Sequence, residues 1–278
     1  LLRVFLCLTI LPNNRYGSRM PLFEDWCDND EEEDDKKRLW KLTEKEDGRE
    51  AIAESLAETV RSHYDALERI AEDVEELGYE DASAILRERL PRGKKARSGD
   101  LGEILASELT EEELGFSVPV RRMRFKDGRE VALRGDDFIG IRYNEATDRL
   151  RLLKGESKSR RTLGKATIES ARTALDRDDG RCTPASLLFV ADRMMERGGS
   201  DEVLGKVIRR EVARHALPPS RIDHVMFTMS GNGAPQALVT DYEGLDQTRR
   251  QLVVNLHIED HQDFITEVYE QAGDIGDD

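Results

Sequence analysis

Cysteine is scarce in this chain of 278 residues, which has only Cys7, Cys27 and Cys182. None belongs to a C-x-x-C pair or to a Cys/His cluster. That argues against a structural zinc site and a disulfide scaffold, and suits a reducing cytoplasm. Long apolar runs are also missing. The opening LLRVFLCLTILP is shorter than the roughly 20 residues needed to span a bilayer. It lacks the cationic start and small-residue cleavage site of a signal peptide. A buried strand is expected there, with no membrane association and a cytoplasmic location. The first residue is not Met; Met20 is a candidate start, in which case the apolar run is not native. Positive charge is in deficit, with 43 Lys and Arg against 58 Asp and Glu and a formal net charge of −15. That argues against a protein that coats nucleic acid, but leaves room for an enzyme with a local basic groove. No Gly-x-Ser-x-Gly is present, and Ser230-Gly231-Asn232-Gly233 lacks the Lys-Ser/Thr of a phosphate loop. The five His have no metal-ligand spacing, and Trp26 and Trp40 read as packing residues.

What is present is 38% hydrophobic and 36% charged sequence, enough for one large soluble domain or two small ones. The run Asp28 to Asp35 (DNDEEEDD) reads as a solvated acidic loop. From Glu50 to Arg87, the apolar residues Ile52, Leu56, Val60, Tyr64, Leu67 and Ile70 recur at helical spacing, and Ala82 to Leu90 suggests a further short helix. The basic, breaker-rich stretch from Pro91 to Gly99 reads as a loop and a boundary between a mainly helical region, 1–91, and a second domain, 92–278. A helix is expected from about Asp100. Strands follow at Val118 to Phe125 and Val131 to Leu133 around Lys126-Asp127-Gly128, then at Asp137 to Tyr143 and Arg149 to Lys158. Helices are expected at Thr167 to Leu175, Ala185 to Arg197, Glu202 to His215 and Asp260 to Gln271. Late strands are expected at His224 to Met229, Gln236 to Thr240 and Leu252 to Ile258. The fold class is α/β (α+β) with a mixed central sheet flanked by helices.

The chemistry lies in three pieces: Glu103 on the helix from Asp100, the pair Asp136 and Asp137 opening a strand, and Glu156-Ser157-Lys158 near a strand end. In a strand, residues two apart share a face, so Glu156 and Lys158 project together. Carboxylates are hard oxygen ligands suited to Mg²⁺ or Mn²⁺. Such an ion activates water and polarises a phosphoryl oxygen, while an ammonium beside it stabilises developing negative charge. The set of catalytic candidates is Glu103, Asp137, Glu156 and Lys158, with Asp136 a further possible metal ligand. Each piece has a bland reading as well. Glu-x-Lys is usually a solvated strand face, and Asp100 to Glu103 fits a helix capping pattern. The order of the pieces raises the odds of a site. Lys94, Lys95 and Arg97 precede the helix, and Arg160 and Arg161 follow the strand, as candidate phosphate contacts. Arg121, Arg122, Arg124 and Lys126 form a weaker candidate cluster.

This order of helix Glu, strand Asp and strand Glu-x-Lys resembles the PD-(D/E)xK nuclease superfamily. The wording SGDLGEIL, ALRGDDFIGI and KGESKSR is similar to the HamA family of nuclease subunits from Hachiman anti-phage defence. The likeness is best from Arg92 to Arg177, looser toward the C-terminus and weakest over the first 50 residues. It implies Mg²⁺-dependent cleavage of DNA by an effector that a superfamily 2 helicase partner restrains. Carried over by position, Glu156 and Lys158 match the Glu-x-Lys element, Asp137 the strand Asp and Glu103 the helix Glu. The Pro that usually precedes the catalytic Asp is absent, with Gly135 and Asp136 in its place, so Asp136 and Asp137 both stay open, though the apolar Phe138 after Asp137 favours the latter. RNA as substrate stays open too. So does a non-catalytic subunit that regulates the helicase and keeps the nuclease fold as a scaffold.

Overall fold

The computed structural model describes residues 21–275, so the strand expected over the opening apolar run lies outside the described residues. A short helix α1 (Leu22–Trp26) leads into strands β1 (Cys27–Asp34) and β2 (Lys37–Glu44). Four helices follow: α2 (Gly48–Tyr64), α3 (Leu67–Leu77), α4 (Tyr79–Arg89) and α5 (Lys94–Leu114). Then come β3 (Phe138–Asn144), β4 (Arg149–Arg160), α6 (Lys165–Asp176), α7 (Pro184–Arg197) and α8 (Gly199–Arg214). The chain ends through β5 (Ile222–Ser230), α9 (Gln236–Glu243), β6 (Gln251–His257) and α10 (His261–Ala272).

The strands form one six-stranded sheet in the order β1-β2-β6-β5-β4-β3. The inner four are parallel, and β1 and β3 run antiparallel at the two edges. Parallel strands must be covered on both faces, since their crossovers place helices there. Accordingly β5 is buried along its whole length. On one face Leu153, Phe227 and Val254 pack against α2, α5 and α10. On the other, Leu152 and Ile222 meet α7 and α8, while Met226 and Val253 meet α6 and α9. The α/β class with a mixed sheet flanked by helices is thus present. Among the described residues no helix is long and apolar enough to cross a membrane.

Four local expectations need correction. The acidic run is the edge strand β1, not a loop. Its side chains beyond Cys27 are exposed, and it pairs with a basic strand: Asp34 faces Lys37, Glu33 faces Arg38 and Asp30 faces Lys41. Lys41 reaches both Glu32 and Asp30, and Lys37 meets Asp34 at 3.0 Å. Opposite charges across the ladder offset the self-repulsion that made the run read as loop. The two strands expected between Val118 and Leu133 are irregular chain, with one 3-10 turn at Arg122–Phe125. Val118, Val120 and Met123 are buried, and the neighbouring arginine side chains are held by carbonyls and carboxylates elsewhere in the molecule. Thus Arg124 donates to the Ser62 carbonyl and Arg121 pairs with Glu111. Gln236 to Thr240 is helical, starting after Pro235 and burying Leu238 and Tyr242 four apart. Finally, α5 begins at Lys94, inside the stretch read as a loop. Its glycines are tolerated because Gly102 lets the helix lie on β4: a Cβ there would stand 2.8 Å from Ser157 Oγ. Asp100 is therefore not a cap; its carboxylate accepts from Lys126 Nζ and from the Tyr64 hydroxyl at 2.6 Å.

One contact sets the register that matters for the site. Phe138 pairs with Gly155 across β3 and β4, and its ring lies over the glycine so closely that a Cβ there would meet it at 2.1 Å. Gly155→Ala is expected to destabilise the fold by about 1–3 kcal/mol through overpacking. Phe138→Leu in the same chain should recover part of that loss. Urea titration of the two variants checks it; additive losses in the double variant would refute the contact.

Candidate active site

β4 continues to Arg160, but its last partner on β3 is Gly155. Past that point the edge of β4 has no strand beside it, and the candidate residues gather there. Asp137, the residue before β3, reaches across so that its Oδ2 accepts the Ser157 amide proton at 2.8 Å. A side chain thus takes the place of the missing ladder bond. Glu156 and Lys158 stand on one face of β4, and the ammonium donates to Glu156 Oε1 and to the Ser157 carbonyl at 3.3 Å. Glu103 comes from α5, close enough that the Asp137 carboxylate disturbs its ionisation.

All three carboxyls resist ionisation. Burial pushes Glu156 up to about 7, and the Asp137 carboxylate adds to the rise while Lys158 opposes it. Burial likewise raises Glu103 well above its usual value, with Asp137 next in effect and Arg122 opposing. Asp137 is raised by burial, and the Lys158 charge and the Ser157 amide hold it back. Crowded, partly dry carboxylates of this kind gather at functional sites. Among the described residues no three His, Cys, Asp or Glu are grouped as a ready-made metal cage. Mg²⁺ does not need one, because it keeps several waters and takes one or two carboxylates. Asp137 and Glu156 have that chemistry.

Asp136 points elsewhere. Its Oδ2 accepts the Thr183 amide proton at 2.7 Å, at the start of α7, and its Oδ1 lies 3.7 Å from Lys154 Nζ. Its own amide donates to Ser186 Oγ at 2.9 Å. The structure therefore brings Asp137, Glu156 and Lys158 together, sets Glu103 on α5 within electrostatic reach of Asp137, and turns Asp136 toward α7. Of the candidate phosphate contacts, Lys94 and Lys95 are exposed at the start of α5. That end of α5 lies by the end of β4, since Ser98 Oγ is 2.8 Å from Ser159 Oγ. Arg160 and Arg161 are exposed just past Lys158. Arg97 is engaged internally, donating to the Pro91 carbonyl at 2.8 Å and lying over the Tyr269 ring.

Two residues have roles that were not read from the sequence. Lys154 sits two before Glu156 on the same face, fully buried, its ammonium donating to the Arg177 carbonyl at 2.8 Å. The alternation Lys-x-Glu-x-Lys was the available signal. Arg122 was grouped with surface cations, yet it bonds to the backbone of the Asp136-Asp137 segment.

A HamA family model matches residues 20–272 of this chain. The Hachiman protein HamA of Bacillus cereus is 34% identical over 118 residues, which is 42% of this chain and 40% of that protein. The match thus spans less than half of that relative.

The raised carboxyl has a consequence for stability. Its folded value of about 7 lies above the usual 4.5, so the proton favours the folded state. That contribution is complete below pH about 4.5, is lost as pH rises toward about 7, and is absent above. Glu156→Gln, neutral at every pH, is therefore expected to be more stable than the parent at pH 8 by about 1–3 kcal/mol. The difference should shrink toward pH 5. Urea titrations at both pH values measure it; equal stability at pH 8 would sink the assignment.

Proposed function

This chain belongs to the HamA family, and from that premise we propose that it is a Mg²⁺- or Mn²⁺-dependent nuclease that cuts DNA in Hachiman-type anti-phage defence. The observation that carries the reading is the open edge of β4, where Asp137, Glu156 and Lys158 converge beside Glu103. Helix Glu, strand Asp and strand Glu-x-Lys in one place also support the likeness to the PD-(D/E)xK nucleases.

In this reading Asp137 and Glu156 hold the divalent ion, and Glu103 orients water around it. The bound ion would supply Lewis acidity toward a phosphoryl oxygen and a more acidic water. The protein's own part is positioning and charge. The Lys158 ammonium, 20% exposed in its side chain, stands at the rim of the carboxylates. There it can leave Glu156 to steady the attacking water and the charge that develops on the phosphate. The Ser157 amide fixes Asp137 through one carboxylate oxygen and leaves the other free for the ion. Lys94, Lys95, Arg160 and Arg161, at the neighbouring ends of α5 and β4, would take flanking phosphates.

A superfamily 2 helicase is the proposed partner and restraint. A net charge of −15 gives the chain little general attraction for DNA, and a helicase that loads it would supply what the charge does not. Supercoiled plasmid incubated with the purified chain and Mg²⁺ or Mn²⁺ tests the proposal, without and with the helicase. Cutting should require the ion, weaken when the helicase is added, and fall about 100-fold or more in Glu156→Ala and Lys158→Ala. A folded parent that cuts neither DNA nor RNA in any of these conditions would leave a scaffold that regulates the helicase as the better account.

A further inference from the structure

We infer that Arg122 is a positioning residue for Asp137, acting through the main chain. Arg122 lies in the 3-10 turn Arg122–Phe125 and is half-buried. Its Nη1 donates to the carbonyls of Asp136 and Asp137, the latter at 2.8 Å, and its Nη2 donates to the Arg134 carbonyl at 2.9 Å. One planar fork thus gathers three carbonyls from four consecutive residues. Such a fork is pre-organised, so little freedom is lost for each bond formed. A guanidinium engaged in this way is not a phosphate contact, which is the role its place among surface arginines suggests.

The segment it clasps has no other regular support on that side. The residues between α5 and Phe138 belong to no named strand, so no ladder fixes the direction of Asp137. The opposite side is held at Asp136: its amide bonds to Ser186, its carboxylate to the Thr183 amide, and both partners are at the start of α7. Gly135 makes this approach possible, with φ +102 and a Cβ position only 2.2 Å from Ser186 Oγ. Asp136 is therefore the anchor and Arg122 the clasp. Between them the chain must present Asp137 to the Ser157 amide, and hence to Glu156.

This inference rests on the reading that Asp137 and Glu156 hold a divalent ion, but its geometry can be read without one. The Ser157 amide is protected by a single bond, to Asp137. In the metal-free chain, Arg122→Met should speed hydrogen exchange at Ser157 by about tenfold or more, while amides in the β3–β4 ladder keep the parent rates. A merely structural role would move all of them together, through overall stability. Mn²⁺ affinity, measured by calorimetry, should fall about 10- to 100-fold, as it does when outer partners of metal ligands are lost. Arg122→Lys keeps the charge without the fork and should show the same local exchange; it also serves if the Met variant fails to fold. Unchanged Ser157 protection in both variants would overturn the inference, as would full Mn²⁺ affinity restored by Lys alone. If the parent binds no Mn²⁺ while Ser157 still loses protection, the clasp stands and the metal reading falls.

Discussion

The packing of the Phe138 ring on Gly155 is the constraint from which the site follows. A side-chain period of two means that a slip of one residue would send every β4 side chain to the opposite face. Glu156 and Lys158 would then turn toward α5, and Leu153 would leave the core it shares with Phe227 and Val254. The aromatic ring and the bare glycine admit one pairing. Because these two residues immediately follow Asp137 and precede Glu156, the same contact that closes the core also aligns the carboxylates. Function at the edge is set by shape in the interior.

The site is arranged at a cost to the fold. Three carboxyls are held where water is limited and where each raises the work of charging the next. A well-packed protein would place apolar or neutral groups there. Behind them lies a second polar layer. Lys154 and Asp136 sit deep inside, bonded to backbone groups at Arg177 and Thr183, and they act as fixtures. The crowded edge carries the raised carboxyls, and a local rule broken in this way is expected at a functional site.

Much of this was legible in residue order. The apolar run Leu150 to Leu153 ahead of Glu156-x-Lys158 reads as a buried strand emerging at a charged end, and the structure has that strand. Helix α7 begins at Pro184 after Thr183, whose side chain caps it, and its apolar periodicity was plain. The failures have physical causes. β1 carries so many acids that only its basic neighbour, distant in composition, explains it as a strand. The start of α5 was hidden by Ser98, Gly99 and Gly102, small residues that weaken an isolated helix but permit close contact with β4. Asp136 and Asp137 were separated only by the apolar Phe138 after the latter, because both precede the same strand. Their directions depend on Thr183 and Ser157, which no local pattern reveals. Arg122 was missed for a related reason, since its partners are main-chain carbonyls, and these leave no trace in side-chain chemistry.

The acidic strand β1 occupies the far edge of the sheet from β3. Six strands at about 4.8 Å spacing separate these edges by some 24 Å. That is about three screening lengths at physiological ionic strength. Where solvent lies between them, the field of β1 is therefore much weakened at the carboxylates and cations on the other side. A molecule with a large overall negative charge can still offer a polyanion a locally tolerable approach, because in salt water a surface is felt by patches and not by its sum. Dilution of the salt would join the two edges into one field.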